Sequence, residues 1–101
     1  MAEVYSIPVA CHNPQGPVST AASLQLGFAI PNYLIQEIVW NDVPWRNDIV
    51  LGGYDVTKGS VTAPDKPGVG IDINEAEAAK HPWQPEVTME AFRKDGSVAD
   101  W

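Results

Sequence analysis

The sequence predicts an α/β fold whose organised part is a strand–helix–strand crossover. Three observations predict it. Ile7–Cys11 (IPVAC) and Tyr33–Glu37 (YLIQE) are short apolar runs of strand length. Between them, Ala21, Leu24 and Phe28 recur at helical spacing and mark one apolar face. The separation of the two runs suits a parallel crossover, whose connection must span about a dozen residues or more.

Ahead of the first strand, MAEVYS has the composition of the last turn of a helix. After that strand, HNPQGP carries Asn-Pro and Gly-Pro dipeptides that force a turn. Ser19 stands where an N-cap would stand, and TAASLQLGFA follows as helix. Pro31 should stop it, because the residue before a proline is pushed out of the α region. Val39 to Val69 reads as loop, with the WNDVPWRND and DKPGVG runs inside it. A loop this long is uncommon in a compact domain, so it is either functional or packs on something else. Asn74, with Glu77 three residues on, makes a capping-box-like start for a short helix through AEAAK that ends near Pro82. VTMEAFRKDGSVADW holds a Lys-Asp-Gly turn and reads as a hairpin or an extended tail. The expected division is a strand–helix–strand unit over residues 1–48 and a loop-rich tail over 49–101.

With 101 residues the chain allows one domain at most, with a single modest core. The net charge of −7 argues against a nucleic-acid partner and against an anionic membrane surface. An acidic substrate would need a metal or a local Arg, Lys or His to supply positive charge. Cys11 is the single cysteine, so no internal disulfide forms. The N-terminal apolar run is broken by Pro8 and has no basic flank, which does not read as a signal peptide. No run approaches the roughly 20 apolar residues of a membrane span. The cytoplasm is the expected compartment.

In parallel sheets, ligands sit at the carboxyl ends of the strands. His12 follows the first predicted strand and Glu37 ends the second, so both fall at that end. A histidine there suits general acid/base work, and a neighbouring carboxylate would complete a pair. The alternatives are a loop histidine bonded to backbone and an exposed strand-end glutamate. Cys11 adjoins His12, but successive strand side chains point to opposite faces, which makes a buried core residue the better reading than a nucleophile. His81 falls near a helix C-terminus, where a cation is favoured, and suits a structural role. In the loop after Glu37, Trp40 and Trp45 could wall a substrate pocket or simply pack. Arg46 could meet a substrate carboxylate bidentately or form a surface ion pair. No HExxH, paired CxxC, EF-hand, GxGxxG or Walker pattern occurs.

The segments ACHNPQGPVSTAASLQL, AIPNYLIQE, NDVPWRNDIV, PGVGIDINE and DGSVADW together resemble the mandelate racemase-like branch of the enolase superfamily. Within it they are most similar to galactonate dehydratase and related acid-sugar dehydratases, in the same order and over nearly the whole chain. The resemblance implies the C-terminal part of a (β/α)8-type barrel, with the two predicted strands as its seventh and eighth. The tail from about Ile49 would pack on an N-terminal capping domain. It also implies that His12 is a catalytic acid/base and that Glu37 helps hold the substrate carboxylate or the enolate. Such enzymes abstract a proton α to a carboxylate, stabilise the enediolate with Mg2+ and expel the β-hydroxyl as water.

The Mg2+ carboxylates of this family end the third to fifth strands, and the Asp that orients the histidine ends the sixth. None of these falls in the present sequence. Cys11 stands where the family often has proline. The chain is therefore expected to be a fragment that binds no Mg2+ and is catalytically incomplete by itself. A second reading is a non-catalytic interaction module, a self-associating remnant of the barrel that pairs as a homo-oligomer or docks on the remainder of the barrel. A small enzyme built on His12 and Glu37 alone ranks last, for want of a cofactor cradle or a third orienting group.

Overall fold

The computed structural model describes residues 1–40, 42–85 and 92–99. A 3₁₀ turn over Ala2–Tyr5 comes first. It ends at Ser6, whose left-handed φ of 55° turns the chain into strand β1, Val9–Cys11. Helix α1, Pro17–Ala29, leads to β2, Tyr33–Gln36. The two strands pair in parallel, so the expected crossover forms. β1 starts two residues later than the apolar run suggests, after Pro8, which has no N–H to give a ladder.

Helix α1 begins earlier than Ser19. Gly16 is the N-cap and Pro17 takes the first position, where its fixed φ suits the helix and its absent N–H is not needed. Ser19 lies inside the first turn and is not the cap. The C-terminus falls where Pro31 demands: Ile30 is already extended, with ψ 136°. Pro17, Thr20, Ala21 and Leu24 form the buried stripe. Phe28 departs from the expected face and is half-exposed, because a two-stranded sheet is too narrow to cover it.

Gly27 sets the distance between α1 and β2. A methyl group there would stand 2.6 Å from the Tyr33 ring. Burial pushes the Tyr33 phenol above its ordinary value, with the nearby Cys11 adding to the effect, and the phenol donates to Gln36 Oε1. Gly27→Ala is therefore expected to destabilise the chain by about 1–2 kcal/mol, overpacking outweighing the gain in helix propensity. Urea unfolding followed by circular dichroism reads the sign. A rise in stability would mean that the ring does not rest on Gly27.

The stretch from Val39 to Val69 is not all loop. β3, Val50–Gly52, pairs antiparallel with β6, Ile71–Ile73. β4, Val56–Thr57, and β5, Ser60–Val61, form a hairpin. Its two-residue turn has Lys58 at φ 51° and Gly59 at φ 76°, the double positive φ of a hairpin turn that follows sheet twist. Helix α2, Glu75–Ala78, has the expected cap, with Glu77 N–H donating to Asn74 Oδ1 at 3.3 Å. It ends short of Pro82. In the last segment Phe92 and Val98 make an antiparallel bridge around the Lys-Asp-Gly turn. Residues 86–91, 100 and 101 of that segment lie outside the described residues.

The three sheets have two strands each. Among the described residues the buried hydrophobic side chains are Ala21 and Leu24 alone. Leu34 and Ile35, on β2, are 66% and 63% exposed. The radius of gyration is 17.5 Å, against about 13 Å for a compact chain of this length. No helix among the described residues is long and apolar enough to cross a membrane.

Candidate functional site

The register of the parallel pair builds the site. Cys11 stands opposite Gln36, so the next residue of each strand, His12 and Glu37, emerges at the same carboxyl edge. His12 Nδ1 lies 2.8 Å from Glu37 Oε2, within ion-pair distance. The same oxygen accepts the Asn13 backbone N–H at 2.6 Å. The imidazole is largely open to solvent and the carboxylate is half-exposed. Either ring nitrogen of a histidine can carry a proton, so an imidazole at this edge is able to take or give one. Cys11 is half-buried rather than a core residue and carries a free thiol.

Beneath the pair lies a polar cluster that sequence reasoning did not single out. Asn13 is 1% exposed and Thr20 is wholly buried. Asn13 Nδ2 donates to Thr20 Oγ1 at 2.8 Å and to the Glu37 carbonyl at 3.1 Å. Its Oδ1 accepts from Ser19 Oγ at 2.8 Å. Thr20 in turn donates to the Gly16 carbonyl at 3.1 Å. No buried side-chain nitrogen or oxygen among the described residues lacks a partner. The signal in the sequence was Thr20, one turn before Leu24: a polar residue is out of place on a helix face meant for the core unless a buried partner waits for it.

The loop candidates fall elsewhere. Arg46 is 6% exposed, with Nη1 donating to Asp42 Oδ2 and Nη2 to the Gln15 carbonyl, both at 2.8 Å. It ties the loop after β2 to the turn after β1. Trp40 is half-exposed and shares with Val43, Pro44, Arg46 and Asn47 a cavity of about 330 Å³. Trp45 stacks on His81, ring centroids 4.2 Å apart and 13° from parallel. His81 Nε2 lies 3.7 Å from Glu77 Oε1. Among the described residues no hydrogen bond or ion pair joins Trp40, Trp45 or Arg46 to His12 or Glu37.

The Lys80 ammonium, hydrogen-bonded to Glu77 at 2.5 Å, holds that carboxyl below its ordinary range, helped by His81. A depressed carboxyl stabilises the fold above its unfolded value, and the contribution fades as pH falls through the lowered value. The end of α2 and the Trp45–His81 stack are therefore expected to loosen on the acid side of ordinary glutamate titration. Amide shifts of Ala78 and Ala79 followed against pH check this, and Glu77→Gln should remove the transition.

A parallel strand–helix–strand crossover that brings a His and a Glu to its carboxyl edge places them where barrel-type α/β folds keep their ligands. The family described as enolase C-terminal domain-like matches residues 1–77, and the chain belongs to it. A D-galactonate dehydratase family member of Streptomyces bingchenggensis is 36% identical over 103 residues, covering 100% of this chain and 25% of that protein. A D-xylonate dehydratase of Haloferax volcanii is 39% identical over 74 residues, covering 73% and 18%.

Among solved structures, a mandelate racemase/muconate lactonizing enzyme from Jannaschia sp. CCS1 superposes with a TM-score of 0.76 at 36% identity. It covers 85% of this chain and 22% of that one. An enolase from Pantoea ananatis with bound D-gluconate and Mg superposes at 0.74 and 35% identity, covering 84% and 21%. The chain thus spans about a quarter or less of the length of these relatives. It corresponds to part of their C-terminal barrel domain, and the resemblance to the acid-sugar dehydratases holds.

Proposed function

We propose that this chain supplies the His12–Glu37 part of the active site of an acid-sugar dehydratase. The observation that carries the reading is the 2.8 Å contact between these residues at the carboxyl edge of the parallel strands. His12 Nε2 takes the proton α to the substrate carboxylate. The C–H electrons form an enolate, the bond to the β-hydroxyl breaks, and the imidazolium returns its proton to the departing oxygen. Water leaves, and the enol relaxes to a 2-oxo-3-deoxy acid. Proton transfer by a well-placed imidazole contributes about 10²–10⁴ in rate, and the Glu37 carboxylate, 2.8 Å from Nδ1, favours the charged form of His12. Glu37 also stands at the edge where the substrate carboxylate or enolate would lie beside His12.

Among the described residues no group of three or more His, Cys, Asp or Glu side chains comes together, and Glu37 Oε2 already accepts the Asn13 N–H and faces His12. We place any Mg2+ ion on residues outside this chain and route no step through it. Residues 1–48 are taken as the barrel piece and 49–101 as the tail. Trp40 is the best placed of the loop candidates to wall a pocket, being half-exposed above a cavity. Arg46 supports the loop that carries it, and Trp45 belongs to the stack on α2.

The test is a hybrid in which residues 1–101 replace the matching segment of the Streptomyces bingchenggensis relative. It is expected to dehydrate a sugar acid, with galactonate, xylonate and gluconate as the panel, while the 101-residue chain alone shows no metal-dependent turnover. Robust turnover by the chain alone would overturn its incompleteness. The interaction-module reading is favoured by the exposed Leu34 and Ile35 and the large radius of gyration. Self-association of the chain that is unaffected by Leu34→Glu and Ile35→Glu would count against it.

A further inference from the structure

We infer that Asn13 is a positioning residue for Glu37, committing Oε2 to the protein and leaving Oε1 as the oxygen that meets the substrate; this rests on the substrate contact proposed for Glu37. A half-exposed glutamate at a strand end samples several rotamers when nothing holds it. Glu37 is held at two points by one residue. The Asn13 N–H donates to Oε2 at 2.6 Å, a charge-assisted bond, and Asn13 Nδ2 donates to the Glu37 carbonyl at 3.1 Å. Among the described residues Oε1 has no hydrogen-bond or ion-pair partner. Asn13 is 1% exposed and its own side chain is locked: Nδ2 also donates to Thr20 Oγ1, and Oδ1 accepts from Ser19 Oγ, both at 2.8 Å.

The first turns of α1 therefore hold Asn13, and Asn13 holds Glu37 at backbone and carboxylate. One carboxyl oxygen is spent inside the protein, and a single oxygen is left for a polar group of the substrate. A side chain fixed before the substrate arrives has no rotamer freedom left to lose on binding, and it presents its oxygen in one direction. With the carboxylate free to swing, both advantages go. A backbone N–H cannot be removed by substitution, so the buried amide beside it is the point at which the device can be broken. Asn13→Asp is the sharpest variant. It keeps size and the acceptor for Ser19, and the Thr20 hydroxyl can rotate to donate to the new oxygen. What is lost is the donor to the Glu37 carbonyl, replaced by an oxygen that repels it.

The experiment has two readouts. On the full 101-residue chain, 15N–13C correlation spectroscopy looks for the scalar coupling that crosses the hydrogen bond from the Asn13 amide nitrogen to the Glu37 carboxyl carbon. It is expected in the wild-type chain and is expected to vanish in Asn13→Asp. Thr20→Val, which removes only the oxygen that Nδ2 donates to, is expected to weaken it and serves where Asn13→Asp loses the fold. In the hybrid with the Streptomyces bingchenggensis relative, Asn13→Asp is expected to lower kcat/KM roughly tenfold, the loss of about one charge-assisted hydrogen bond. It should cost little more where Glu37 is already Gln, whereas damage to the fold alone would lower both backgrounds alike. A coupling unchanged in a folded variant, or equal losses in the two backgrounds, would overturn the role of Asn13. Full activity of the Glu37→Gln hybrid would overturn the substrate contact of Glu37 itself, with the coupling left in place.

Discussion

Arg46→Leu is expected to lower the stability of the chain by about 2–3 kcal/mol, one of the largest losses open to a single side chain here. The guanidinium is 6% exposed, and its two terminal nitrogens serve different segments: Asp42 within its own loop and the Gln15 carbonyl in the turn that follows His12. Leucine fills part of the volume but leaves that carbonyl without its donor. Asp42 is 38% exposed at its side chain, so water recovers part of its loss, and the figure stays below that for a fully buried pair.

Arg46→Lys keeps the charge but cannot span both acceptors, and is expected to lose more than half as much. Urea unfolding of the two variants reads these losses. In the hybrid enzyme the same substitutions are expected to act through folding, with KM changed by less than about threefold in the folded fraction. A KM raised about a hundredfold at unchanged stability would instead make Arg46 a contact to the substrate carboxylate.

What could be seen in the sequence was set by local rules strong enough to act alone. Pro31 ends α1 wherever the rest of the chain goes, and the Asn74–Glu77 spacing caps α2. His12 and Glu37 could be placed at one edge because a parallel pair has one carboxyl end. Ser19 misled as a cap because Gly16 and Pro17 offer a better start, and its hydroxyl was already committed to Asn13. β3 and β6 went unseen because strands of three residues show no periodicity, and they pair across some twenty residues of intervening chain. The hairpin of β4 and β5 was hidden for a different reason: its turn is Lys58-Gly59, and lysine seldom takes a left-handed φ. Asn13 was hidden by its proline. Asn-Pro reads as a turn whatever the side chain does, and burial of the amide depends on Thr20 arriving from the helix.

The apolar surface follows from the same geometry. An isolated parallel strand pair covered by one helix hides one face of that helix and little of its own outer face, so Leu34 and Ile35 stand exposed beside Phe28. Those three side chains, with Trp40, Val56 and Val61, line an open cavity of about 540 Å³. Such a surface suits a chain that works against more protein than the 101 residues themselves supply.

The central claim is that His12 moves the substrate proton. It is tested most directly by His12→Ala in the hybrid enzyme, followed by two signals: release of water from the sugar acid and exchange of the α-proton with deuterated solvent. The side chain is mostly exposed, so its loss should leave stability unchanged within about 0.5 kcal/mol. The expected result is a fall in kcat of about 10²–10⁴ with KM little altered, and loss of whatever α-proton exchange the parent shows. A folded His12→Ala hybrid that dehydrates its substrate as fast as the parent would contradict the claim.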